Sequence, residues 1–191
     1  VAGNGQTELI EALTGLRIPD GGSVAINGAD VTRADVERHR DAGLAYIPED
    51  RATTGTALAA SAADNLAMGF QAKPPLSNGR LLDTGAVTAH AKRLIERFGV
   101  KIGSEQLAVG TLSGGNLQKV VVARELSHAA PLLIAEQPTR GVDVGAIEFI
   151  HGQLVAERDR GSAVLLVSAE LTEILALSDR VLVMFDGRIL A

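Results

Sequence analysis

Two helix starts in this chain carry residues whose types and spacing can do chemistry. The first is the opening run VAGNGQTELIEALTG, in which Gly3 and Gly5 lead through Gln6 and Thr7 into an apolar helix. Glycine backbone and a helix N-terminus together make a cradle for anions, because the first-turn N–H groups have no intrahelical acceptor. The second is TLSGGNLQKVVVAREL, where Leu112, Ser113, Gly114, Gly115 and Asn116 precede a helix whose Val120, Val121 and Ala123 should face inward. It offers the same orphan donors and the positive end of a helix dipole.

The opening loop follows the phosphate-cradle pattern G-x-x-x-x-G-K-[ST] in its last three positions, Gly5, Gln6 and Thr7, provided a glycine precedes Val1. Gln6 stands where the pattern has lysine. A neutral amide still donates to phosphate but gives up charge assistance, which makes such bonds about twice as strong. Taken alone, the loop is equally an ordinary glycine turn before a helix. The second run, taken alone, is equally a flexible turn with an N-cap.

Other chemistry-bearing residues read more blandly. Glu49-Asp50 follows a strand end, which fits loop capping or a Mg²⁺ contact better than a catalytic carboxylate pair. His39, His90, His128 and His151 lack metal-ligand spacing. Arg33, Arg38 and Arg40 form a basic run expected on a wet helix face.

The elements that position these residues alternate. Thr7–Thr14 reads as a helix closed by Gly15, GGSVAINGADV as short strands around an Asn27-Gly28 turn, and LAYIP as a buried strand ending at Pro48. Residues 54–126 are alanine-rich and helical, with one amphipathic helix over Leu81–Val100 that places Leu94, Ile95 and Phe98 in the core. PLLIA reads as a strand covered on both faces. Asp143 caps a helix carrying Ile147, Ile150 and Leu154 on one face, with Gly161 after its end. AVLLV, the helix Leu171–Leu177, RVLVMF and the Asp186-Gly187 turn complete the series. Strands alternating with helices predict an α/β fold with a largely parallel sheet and a helical insertion.

Composition bounds the reading. The chain has 191 residues, 46% of them apolar, no cysteine and a net charge of −5. That charge argues against a nucleic-acid partner. The lack of cysteine removes disulfides and thiolate metal sites and fits a cytosolic setting. No run approaches the roughly 18 apolar residues of a membrane span. The chain opens inside a motif without methionine and is read as a fragment.

LSGGN followed by Gln118 resembles the signature motif of ATP-binding cassette (ABC) ATPases. The resemblance spans nearly the whole chain in the family's order: the opening loop is similar to Walker A, AYIPEDR to the Q-loop, LLIAEQPTRGVD to Walker B plus D-loop, and VLLVSAELTEI to the switch region. IPEDR and PTRGVDVGA resemble the second, C-terminal cassette of importers for simple sugars or nucleosides, and GNGQTE leans toward the nucleoside type. The fold so implied is a P-loop core over 1–53 and 127–191, a helical subdomain over 54–126 ending in the signature helix, and a partial antiparallel β-subdomain.

The resemblance implies ATP contacts from Gly3, Asn4, Gly5, Gln6, Thr7, Glu8, Glu49, Leu112, Ser113, Gly114, Gly115, Asn116, Gln118 and Asp143, and Mg²⁺ contacts from Thr7, Glu49 and Glu136. The departures fall on residues whose side chains serve the reaction. Gln6 replaces the Walker A lysine, Glu49 the Q-loop glutamine, Glu136 the Walker B aspartate, Gln137 the catalytic glutamate and Ala169 the switch histidine. An amide at Gln137 takes no proton at neutral pH, and general-base help is worth about 10²–10⁴ in rate. Ala169 offers no side-chain hydrogen bond, and Gln6 removes a cation where charge builds during phosphoryl transfer. The expectation is a site that binds nucleotide and hydrolyses it poorly, beside an intact signature that completes the ATP site of a second cassette.

Further implied partners are transmembrane permease subunits, met in the family near the segment Thr53–Met68, which by its residues is equally an apolar helix packed in the core, and indirectly an extracytoplasmic solute-binding protein. The implied location is peripheral, on the cytoplasmic face of the cell membrane. A regulatory cassette, a soluble ABC protein unlinked to transport, and a P-loop-like fold without nucleotide stay open as rivals at this point.

Overall fold

The computed structural model describes residues 3–190. An unbroken apolar run makes its central strand. β4 (Leu132–Glu136) buries Leu133, Ile134 and Ala135 completely, as a strand covered on both faces requires. It lies between β3 (Leu44–Ile47) and β5 (Ala163–Val167), and β4 and β5 run parallel with Leu132 opposite Ala163 and Glu136 opposite Val167. α1 (Gln6–Thr14) adds Ile10 to a cluster with Ile26, Val31, Leu44 and Ile134. This arrangement is the expected α/β fold.

Two short antiparallel hairpins accompany that sheet. β1 (Ala25–Ile26) and β2 (Ala29–Asp30) turn at Asn27-Gly28, both with positive φ, as a two-residue turn of this twist demands. α2 (Val36–Asp41) follows, capped by Asp35; His39 is buried inside it and hydrogen-bonded to the Asp35 carbonyl, while Arg33 and Arg38 are exposed. Near the other end, β6 (Met184–Phe185) and β7 (Arg188–Ile189) turn at Asp186-Gly187.

The chain divides into two compact units, one built from the residues up to Tyr46 with Ala129–Gln137 and those from Gln153 onward, the other from Ile47–His128 and Pro138–Gly152. In the second unit, a single wide turn of π-helix (Arg51–Gly55) precedes α3 (Ala62–Ala67), α4 (Thr84–Phe98) and α5 (Gly114–Glu125), which pack together. α6 (Val144–Asp159) begins there, with Ile150 and Leu154 buried; α7 (Leu171–Leu177) belongs to the first unit.

Three local expectations are corrected. The amphipathic helix starts at Thr84, because the Asp83 carboxylate caps it through the Ala86 amide; Leu81 and Leu82 stay outside and exposed. Ile95 and Ile147 sit at half-buried borders of their helix faces. RVLVMF is a strand only at Met184–Phe185. Val181–Val183 finds no strand partner among the described residues beyond the Leu190 amide on the Val183 carbonyl, and its side chains border an apolar recess against β5 and α7. No described helix is long and apolar enough to cross a membrane.

Candidate functional site

The cradle at the head of α1 is shaped by glycine conformation. Gly3 and Gly5 both have positive φ, +85° and +97°, and Gly5 serves as N-cap without a side-chain bond. A Cβ at Gly3 would meet open space, whereas one at Gly5 would lie 3.0 Å from Met184 Cε and 3.1 Å from Gly187 Cα. Gly5 is therefore glycine for packing as well as for φ. Asn4 fixes the loop from outside: its carbonyl accepts from the Gly187 amide at 2.9 Å, and its side-chain oxygen from the Asp186 amide at 3.3 Å. The Gln6 side chain folds back, its oxygen accepting from the Asn4 amide at 2.8 Å. Thr7 and Glu8 are exposed in the first turn.

Three more predicted positions lie in the same unit. Glu136 ends β4 as a buried carboxylate accepting from the Tyr46 hydroxyl at 2.6 Å. Gln137 has a positive φ of 45°, uncommon for a residue with a side chain. It is held there by its amide donating to the Val167 carbonyl at 2.7 Å. Its side-chain oxygen accepts from the Ala169 amide at 3.1 Å.

The second unit holds the other helix start. Ser113, exposed and extended, caps α5: its carbonyl accepts from the Leu117 amide at 2.8 Å, and its hydroxyl faces the amide and side-chain nitrogen of Asn116. Asn116 also accepts from the Lys101 amide through its side-chain oxygen at 2.8 Å. Gly114 and Gly115 occupy the first turn, where no earlier helical carbonyl reaches their amides. Leu112 is half-buried and donates to the Val109 carbonyl. Gln118 faces the interior, its Oε1 enclosed without a hydrogen-bond partner among the described residues, so it presents no surface to a ligand. Asp143 caps α6 through the Ala146 amide at 2.9 Å and packs beside Gly115. Glu49 forms an ion pair with Arg140. Asp50 caps the π-turn through the Ala52 and Thr53 amides, the capping role expected of it. The hydroxyl and amide of Thr53, with the Ala52 amide, hold the Asp50 carboxyl below the usual carboxylate range.

The family pattern described as ABC transporter matches residues 1–140. The chain belongs to the ABC transporter family. Among curated members it is 44% identical over 189 residues to the nucleoside import ATP-binding protein NupA of Lactococcus lactis, covering 99% of this chain and 37% of that protein. It is 44% identical over 191 residues to the guanosine import ATP-binding protein NupO of Bacillus subtilis (100% and 38%), and 42% identical over 190 residues to the ribose import ATP-binding protein RbsA 1 of Streptomyces avermitilis (99% and 36%). The chain thus spans little more than a third of the length of these relatives. Its fold matches the ATP-binding cassette MJ0796, solved as a dimer in a post-hydrolysis state with ADP and Pi, at a TM-score of 0.82 and 18% identity, over 99% of this chain and 80% of that one.

Within this ABC fold the residues present fit a phosphate group. Gly3 leaves open space where a Cβ would stand, the helix start has no side-chain cap, and the neighbouring Gln6 contributes a neutral amide. No cluster of three or more metal-ligating side chains exists among the described residues. Mg²⁺ at Thr7 and Glu136 would therefore depend on phosphate oxygens to complete its shell.

Sequence reasoning passed over Tyr46, Arg51 and Arg140. Tyr46 had a signal: it is the chain's single tyrosine, on a strand read as buried, where a hydroxyl must find a partner. The two arginines stood in quoted motifs, but their partners lie about ninety residues away.

Proposed function

We propose that this chain is the nucleotide-binding domain of an importer, in the position of the second cassette, that couples ATP binding and hydrolysis to uptake of a nucleoside or simple sugar. Its own Walker set is degenerate and its signature completes the ATP site of a partner cassette. The P-loop core is assigned to 1–53 and 127–191 and the helical subdomain to 54–126. The domain sits peripherally at the cytoplasmic face of the membrane on permease subunits, which a solute-binding protein supplies from outside.

At its own site the loop amides other than that of Asn4, which the Gln6 side chain occupies, bind the phosphates, and Thr7 with Glu136 holds Mg²⁺. ATP, when bound, supplies the phosphoryl group. No side chain here removes a proton from attacking water, since Gln137 is an amide engaged with the Ala169 backbone. No lysine balances the charge that develops. At the second site, free of that damage, Ser113 stands exposed at the head of α5, with Gly114 half-buried and Gly115 buried behind it in the first turn.

One observation carries the reading: Gln137 is bonded to Ala169 at 3.1 Å while Ser113 remains exposed at the head of α5. The test is Ser113→Arg in the full-length transporter complex. Turnover should fall by about 10²-fold or more, the scale seen when an oxyanion-type donor is lost. Unchanged turnover would leave a regulatory cassette, with nucleotide as assembly glue, as the better account.

A further inference from the structure

The two glycines of the signature are wedged between opposite charges. A Cβ at Gly114 would lie 2.9 Å from Arg51 Nη2, and one at Gly115 would lie 2.7 Å from Asp143 Oδ2. The Arg51 guanidinium donates through Nη1 to the Arg140 carbonyl at 2.7 Å and through Nη2 to the Gly141 carbonyl at 3.0 Å. It therefore ties the loop carrying Asp143 to the turn after β3 while lying against Gly114.

That turn is itself anchored. The Thr56 hydroxyl donates to the Arg51 carbonyl at 2.8 Å, and the turn's last carbonyl, that of Gly55, accepts from Arg124 Nη1 at 2.8 Å. Arg124 is buried in α5 and bonded to the buried carboxylate of Glu125. A continuous path thus runs from the body of α5 through residues 51–55 to residues 140–141, and back to the glycines that open the same helix.

We propose that Arg51 is a positioning residue for the signature loop: its fork on the Arg140 and Gly141 carbonyls sets where Ser113, Gly114 and Gly115 present their donors. The inference rests on the trans role assigned to the signature above. Two carbonyls on successive residues suit a planar fork with fixed spacing; a lysine keeps the charge but cannot hold both with that geometry.

The experiment compares Arg51→Ala and Arg51→Lys with the unaltered full-length transporter complex. In nucleotide-free complex, amide hydrogen exchange of peptides covering 111–116 and 139–143 should quicken in both variants. In steady-state assays kcat should fall on the order of tenfold in both, with KM for ATP changed less than about twofold, because nucleotide is held by the partner's Walker motifs. Full recovery in Arg51→Lys, or unchanged exchange and kcat in Arg51→Ala, overturns the proposal. Ser113→Arg is measured alongside. If it abolishes turnover while Arg51→Ala does nothing, only the positioning role fails; if it leaves turnover intact, both readings fail.

Discussion

Gln137 and Ala169, 32 residues apart in the chain, are joined by a 3.1 Å hydrogen bond from the Ala169 amide to the Gln137 side-chain oxygen. These are the positions that the family resemblance assigns to the glutamate acting on water and to the switch histidine. In this chain they hold each other, and neither side chain can act as an acid or base at neutral pH.

Gln137→Ala should accordingly change ATP turnover of the full-length complex less than about twofold, whereas deleting a working general base costs about 10²–10⁴. Steady-state ATPase measurement decides between them. A hundredfold drop would mean that this half-site does hydrolyse nucleotide.

The two glycines of the opening loop should respond unequally to a methyl group. Gly3→Ala bears only the left-handed backbone cost, about 1–2 kcal/mol, since its surroundings are open. Gly5→Ala adds contacts at 3.0 and 3.1 Å, one of them with backbone, and should lose about a further 1–3 kcal/mol through overpacking. Urea unfolding of the two variants gives the comparison. Equal losses would contradict the close approach of Gly187 to the loop.

The Asp50 carboxyl should titrate below the ordinary aspartate value near 3.9, first because of the Thr53 hydroxyl, then the Thr53 and Ala52 amides. Its folded pKa is lowered, so its support for the π-turn is fully present above the unfolded value and is lost as pH falls through the folded one. Carboxyl NMR titration of the protein and of Thr53→Val should show the pKa moving back up in the variant. No movement would remove Thr53 as the leading cause.

Much of the architecture was legible in local sequence. The Asn27-Gly28 and Asp186-Gly187 turns and the Asp143 cap depend on neighbours within a few residues, and each forms as read. The helix before Val100 begins late because a cap at Asp83 outweighs the apolar pattern of Leu81 and Leu82. Val181–Val183 has strand-forming residues, yet strand formation needs a second backbone at the right distance, which the described residues do not supply.

What the chain's order of residues determined by itself was most of the series of elements and the family, because these rest on local pattern and motif order. Tertiary structure alone decided that Gln137 meets Ala169, that Tyr46 meets Glu136, and that Arg51 spans to Arg140 and Gly141. Such pairs join residues 32 to 90 positions apart. No periodicity connects them, and only the folding of the backbone brings a donor within reach of its acceptor.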